Sequence, residues 1–237
     1  MKKSPHRGAH GAFVASLLLA VVASHDAWSA GGAHIVDDSE VVAPGTCQVE
    51  MWVTRFVPGD GFADISPACT MEMLPRFEIG ATFQHYWAET LNAPLLGPAL
   101  KYNLQPESTG LGIGLMFNAG VNVRTGDLGL VSALVPITVP LDDKVRFNFN
   151  IGWSYFSNVD YANALFLGAQ VEAKLGGEVQ LMIETFSRVP GNLGSFGAQM
   201  GLRYRPNDGP IDFDALIGGF FNADSARFFT LGVTVRF

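Results

Sequence analysis

The stretch VRFNFNIGWSY, Val145 to Tyr155, decides the fold. Val145, Phe147, Phe149, Ile151, Trp153 and Tyr155 fall on one face of an extended chain, and Arg146, Asn148, Asn150, Gly152 and Ser154 fall on the other, because successive side chains of a strand point to opposite sides. The run is about twice the length of an ordinary soluble strand. It matches the roughly nine to eleven residues with which a tilted strand crosses a bilayer. An apolar face of that length beside an amide-rich one asks for lipid on one side and polar surroundings on the other.

The same alternation recurs along the chain. LGIGLMFNAGVNV sets Leu111, Ile113, Leu115, Phe117, Ala119, Val121 and Val123 against glycines, Asn118 and Asn122. RFEIGATFQHYW, ALFLGAQVEAK, EVQLMIETFSR and SFGAQMGLRYR repeat it with Glu, Gln, Lys and Arg on the polar parity. Turn chemistry separates the runs at LQPES, RTGD, PLDDK, KLGGE, RPNDGP and NADSAR. Consecutive strands joined by short turns make an antiparallel meander, and closing it removes the sheet edges.

Ten strands can be placed between residue 73 and the end of the sequence: 73–87, 94–104, 109–123, 128–139, 144–156, 163–174, 178–188, 195–205, 210–221 and 228–237. Upstream, TCQVEMWVTRF and FADISPAC flank PGDG, and a hairpin centred near Pro58 and Gly59 puts Cys47 opposite Cys69. That completes an even count, about 12 strands, in an all-β, closed antiparallel transmembrane β-barrel with one disulfide, Cys47 to Cys69. Pro67 inside FADISPAC suits a strand end better than a strand middle.

Residues 1–29 have the order of a cleaved signal peptide, with Lys2, Lys3 and Arg7 ahead of the apolar run Ala12 to Ala23 and a small-residue site at Ala27 and Ser29. Residues 30–45 are then a periplasmic lead-in, and 46–237 the barrel. Without the leader 12 basic residues face 21 acidic ones, so nucleic acid is an unsuitable partner. An exported barrel of this kind points to the outer membrane of a Gram-negative bacterium, with outer-membrane lipid around it.

The last residues, FFTLGVTVRF, resemble the terminal signal by which outer-membrane barrels are recognised by the barrel-assembly machinery; its residues are Phe229, Leu231, Val233, Val235 and Phe237. The opening DSEVVAPGTCQVEMWVTRF, through Pro44, Gly45 and Glu50, resembles the outer-membrane family named after the meta-pathway of phenol degradation, which implies a transporter.

Little in the chain suggests catalysis. No GxSxG, HExxH or P-loop spacing occurs. Past the leader only His34 and His85 remain; His34 lies in the lead-in, and His85 sits near a strand end on the outward face beside Tyr86 and Trp87, where an interface histidine in an aromatic belt is the simpler explanation. Asp37, Asp38 and Glu40 could hold a divalent cation, but a solvated acidic tail explains them more simply. No enzyme activity, cofactor or metal is expected.

The polar parity is more informative. It sets Glu50, Glu78, Glu172, Glu178, Glu184, Asp212 and Asp214 against Arg76, Lys101, Arg146, Lys174, Arg188, Arg203, Arg205 and Arg236, with Asn118, Asn148, Asn150, Gln180 and Gln199 among them. Near-balanced charge implies a hydrated, ion-paired lumen. Phe166, Met182, Phe186, Leu216 and Phe220 share that parity and would narrow it. Two functions follow: an outer-membrane channel or transporter for small solutes, aromatic or hydrophobic compounds included, or a closed structural barrel with no transport. The short predicted loops favour passage of a small molecule over binding of a macromolecule.

Overall fold

The computed structural model describes residues 33–57, 59–87, 92–157, 162–189, 196–221 and 227–237. The leader expected over residues 1–29 lies outside them. Twelve strands are present among the described residues: β1 (Thr46–Val57), β2 (Gly61–Thr70), β3 (Phe77–Trp87), β4 (Asn92–Gln105), β5 (Gly112–Asn122), β6 (Leu128–Pro140), β7 (Val145–Phe156), β8 (Asn163–Gly176), β9 (Val179–Val189), β10 (Gly197–Tyr204), β11 (Ile211–Phe220) and β12 (Arg227–Arg236). Each pairs antiparallel with its sequence neighbours, and β12 pairs with β1 to close the barrel.

Closure ties down the end of the sequence. Cys47 N–H donates to the carbonyl of Phe237 at 2.8 Å, and Phe237 N–H donates back at 2.9 Å. Because the backbone of Cys47 is turned toward β12, its pairing with Cys69 on β2 is of the close, non-hydrogen-bonded kind, with Cα atoms 4.0 Å apart, and the two are joined as a disulfide. The first hairpin has the register the cysteine spacing predicts, Cys47 opposite Cys69 and Arg55 opposite Gly61. Pro67 sits within β2 rather than at its end. It pairs with Val49 of β1, and the ladder to β3 skips it, since it has no N–H to donate on that side.

The distribution of side chains inverts that of a soluble domain. Val53, Phe83, Leu115, Ile151, Met200 and Leu231 are exposed on the outer wall, whereas Lys101, Arg146, Asn148, Glu172, Glu184, Arg203, Asp212 and Asp214 are buried inside. An apolar exterior around a charged interior is stable where the outer medium is hydrocarbon, and the closed ladder leaves no strand edge there. No described helix is long and apolar enough to cross a membrane, a statement that does not bear on strands.

Two sequence expectations need correction. Residues 71–76 form a turn, so β3 begins at Phe77 and Arg76 is exposed outside the lumen; the alternation had been continued past the strand's end. The segment before β1 is not a solvated tail in the periplasm. Residues 33–42 run inside the barrel, where Ala33, Val36, Asp38, Ser39, Val41 and Val42 are buried.

Candidate functional site

The internal segment, here called the strap, has no regular secondary structure, so its backbone must find partners other than a ladder. Barrel side chains provide them. Ile35 and Val36 N–H donate to Glu184 Oε2 at 2.9 and 3.1 Å, and Asp37 N–H donates to Asn150 Oδ1 at 2.8 Å. Ser39 N–H reaches Thr138 Oγ1 at 2.9 Å, and Val42 N–H reaches Glu78 Oε2 at 2.8 Å. In return, Asn150 Nδ2 donates to the Asp37 carbonyl at 2.7 Å and Asn103 Nδ2 to that of Ser39 at 3.1 Å. The strap also lies over inward glycines: a Cβ on Gly112 would fall 2.1 Å from Ser39 Oγ, and one on Gly168 would fall 2.7 Å from Val36 Cγ2. Only a residue without a side chain admits the strap so closely.

Charge completes the anchoring. Lys101 Nζ lies 3.1 Å from both Asp37 and Asp38. Arg146 bridges Asp38 at 3.0 Å, Glu172 at 3.0 Å and Glu107 at 3.3 Å. His34 donates Nδ1–H to Glu184 and points Nε2 at Asp214, 3.7 Å away. Burial works against a charged imidazole, but the carboxylates of Glu184 and Asp214 outweigh it and push the His34 pKa up to about 9. Burial also raises the Asp37 carboxyl, with Lys101 pulling the other way. The acidic triplet that could have suggested a cation site is thus engaged by Lys101, Arg146 and, for Glu40, the N–H of Glu107 at 2.7 Å. Among the described residues no cluster of metal-binding type occurs.

Other inward charges form a belt of their own. Arg203 makes a two-pronged contact with Asp214 at 2.7 and 3.0 Å, while Arg205 and Arg236 converge on Asp212 at 2.6 and 2.8 Å. Asn148 bridges Gln170 and Glu172 at 2.6 and 2.5 Å. Lys174 lies with Arg146 and Glu172 at the end of the barrel where β8 meets β9. Arg188 is at the opposite end, donating to Ser154 at 3.0 Å and stacking over Phe156 at 4.7 Å.

Beside the strap is a cavity of about 420 Å³. Glu50, Asp64 and Glu78 line it, as do Trp52 and Asn118. Asp64 was absent from the sequence-level set because the parity of the short FADISPAC segment carries little signal; here it accepts from Ser66 at 2.5 Å and Thr82 at 3.0 Å. Aromatic rings close the far side. Phe56 lies 5.5 Å from Phe228 and 6.3 Å from Phe62, Phe62 lies 5.3 Å from Tyr86, and Phe220 lies 5.8 Å from both Phe186 and Phe228. Sequence parity had found Phe186 and Phe220. The collar itself arises because closure brings β1, β2 and β3 beside β11 and β12.

Residues 18–237 match the family described as Uncharacterised conserved protein UCP029691. The chain belongs to this family. Membership of UCP029691 gives no support to the resemblance of Pro44, Gly45 and Glu50 to the phenol meta-pathway family. No curated protein matches the sequence. Among solved structures, the KdgM porin is similar in fold with a TM-score of 0.61 at 8% identity, covering 79% of this chain and 98% of that one. The KdgM porin in complex with disordered oligogalacturonate gives 0.60 at 8% identity, and the NanC porin gives 0.60 at 7%, each with the same coverage. At such identity the likeness concerns the fold, a porin-type barrel.

Proposed function

We propose that this UCP029691 chain is an outer-membrane channel for small solutes whose lumen is closed, in the conformation described, by its own strap. The observation that carries the reading is the polar lumen itself. The lumen is cross-linked by the ion pairs of the strap, yet it keeps a cavity of about 420 Å³ between the strap and the aromatic collar, a volume for which a purely mechanical barrel has no use. The similarity to porins supports the same direction. A polyanion such as oligogalacturonate suits this lumen poorly, because Lys101, Arg146 and Arg203 are already held by carboxylates of the chain. Outer-membrane lipid and the barrel-assembly machinery are the partners such a protein requires.

The second reading, a closed structural barrel, has the strap and the collar in its favour. Planar-bilayer recording separates the two. The mature protein is compared with a variant lacking residues 30–42, both checked for the heat-modifiable migration of a folded barrel. Channel function requires open steps in the deletion variant, larger or more frequent than in the parent. A folded deletion variant that never conducts would favour the structural barrel.

A further inference from the structure

We propose that the cavity beside the strap is a binding site for a small organic ammonium ion, with N–H donors at one end and an apolar body at the other. The inference rests on the channel reading for its biological sense and on the following geometry for its chemistry.

Carboxyl side chains dominate the charged part of the wall: Asp37, Glu50, Asp64 and Glu78 line the cavity, and the cations Lys101 and His34 also touch it. Both cations are engaged, Lys101 by Asp37 and Asp38 and His34 by Glu184 and Asp214. Glu50 is different. It projects from the inward face of β1 between Thr234 and Ser66, and its carboxylate makes no hydrogen bond or ion pair with any described residue.

Acidity alone would not define a site, but buried orphaned acceptors lie on the same wall. Gln48 is 4% exposed and Gln199 is 3% exposed, and the Oε1 atom of each has no hydrogen-bond partner among the described residues. For Gln199 the orientation of the amide is set by its surroundings. Its Nε2 donates to Glu184 Oε2 at 3.1 Å, and a carboxylate cannot donate in return, so the oxygen must face away. A buried acceptor without a donor is costly, and such exceptions call for a missing partner. The remaining orphan on this wall, His34 Nε2, already faces Asp214. What the orphaned amide oxygens lack is hydrogen-bond donors, and the Glu50 carboxyl on the same cavity favours a donor that carries positive charge.

The other end of the cavity, further along the same strands, selects the rest of the ligand. Phe56, Phe62, Tyr86, Phe220 and Phe228 line the same cavity, and aromatic faces accept both an apolar body and a neighbouring cation. An ammonium group toward Glu50, Gln48 and Gln199 with its hydrocarbon toward the collar satisfies both ends at once. Inorganic cations would leave the collar unused, and an anion would face the carboxyl groups of Glu50, Asp64 and Glu78.

Trp52 lines the cavity and supplies an optical reporter. The refolded mature protein in detergent would be titrated with benzylammonium, benzyl alcohol and benzoate, following tryptophan fluorescence and, in parallel, calorimetry. Saturable binding of benzylammonium is expected, with benzyl alcohol weaker by about tenfold or more, the value of one charge-assisted contact, and with benzoate not binding. Glu50→Gln, which keeps shape and cannot ionise to meet an ammonium, should weaken benzylammonium by a similar factor, and Gln48→Met should weaken it independently of any charge change. Trp52→Phe should remove the cavity's optical response while calorimetry still reports binding. Equal affinity for the amine and the alcohol, wild-type affinity in Glu50→Gln, or no binding of benzylammonium at all would overturn the site. Charge-selective binding in a barrel that never conducts would leave the site standing and sink the channel; conduction without such binding would do the reverse.

Discussion

Replacing Asp38 by Asn should loosen the strap by roughly 100-fold in its docking equilibrium while leaving the barrel intact. Asp38 is fully buried, and its carboxylate oxygens meet Lys101 at 3.1 Å and Arg146 at 3.0 Å. Removing one partner from a buried ion pair costs about 3–5 kcal/mol, because the charge left behind is neither solvated nor paired. Here Lys101 keeps Asp37 and Arg146 keeps Glu172, so the lower end applies. About 3 kcal/mol is roughly two decades in an equilibrium constant. Amide hydrogen exchange followed by mass spectrometry reads this directly: the amides of Ile35, Val36, Asp37, Ser39 and Val42, held by Glu184, Asn150, Thr138 and Glu78, should lose protection by about that factor, whereas the amides of β7 and β8 should not change. The strap's N–H groups bond to side chains and not to a ladder, so they can exchange by undocking alone. If strap protection falls less than threefold in a variant that still folds, the ion pairs do not hold the strap and the reasoning fails.

Other outcomes follow from the same geometry. His34 contributes to docking fully below its unfolded value near 6.5, and that contribution is lost as pH rises through about 9; strap exchange, corrected for intrinsic rate, should therefore accelerate between those limits, by up to about 3 kcal/mol in free energy, and a flat profile would contradict the His34 contacts. Gly168→Leu places a side chain where Val36 Cγ2 now sits, so it should expel the strap and raise conductance without lowering the fraction of folded barrel; unchanged conductance in a conducting parent would count against occlusion by the strap. Cys47 and Cys69 close a loop with a sequence separation of 22, so reduction or Cys47→Ser should cost about 3 kcal/mol in urea unfolding by the loop-entropy relation, and a shift below 1 kcal/mol would show that closure by β12 already restrains that hairpin.

The barrel was written in the chain at short range. Strand alternation needs only neighbouring residues, so Phe147 out and Asn148 in could be assigned without knowing what β7 packs against, and the Cys47 and Cys69 spacing set the register of the first hairpin. The same locality produced the error at Arg76, since parity carries no information about where a strand begins. Pro67 was misjudged for a related reason: its missing N–H matters only on the side facing β3, which the sequence does not specify.

The occluded lumen was decided by tertiary structure. The strap has no periodicity, and its partners lie far away along the chain, with Lys101 64 residues beyond Asp37 and Glu184 149 beyond Ile35. Alone, Asp37, Asp38 and Glu40 are indistinguishable from a solvated acidic tail, because nothing in the neighbouring sequence signals the distant Lys101 and Arg146 that engage Asp37 and Asp38 inside the barrel. Closure of β12 on β1 creates the enclosed polar volume in which these charges find Lys101 and Arg146, and it gathers Phe56, Phe62, Tyr86, Phe220 and Phe228 into one collar. A pattern along a single strand determines which face is wet; which residues meet across the wet interior depends on the closed circumference of the barrel, a property of all twelve strands together.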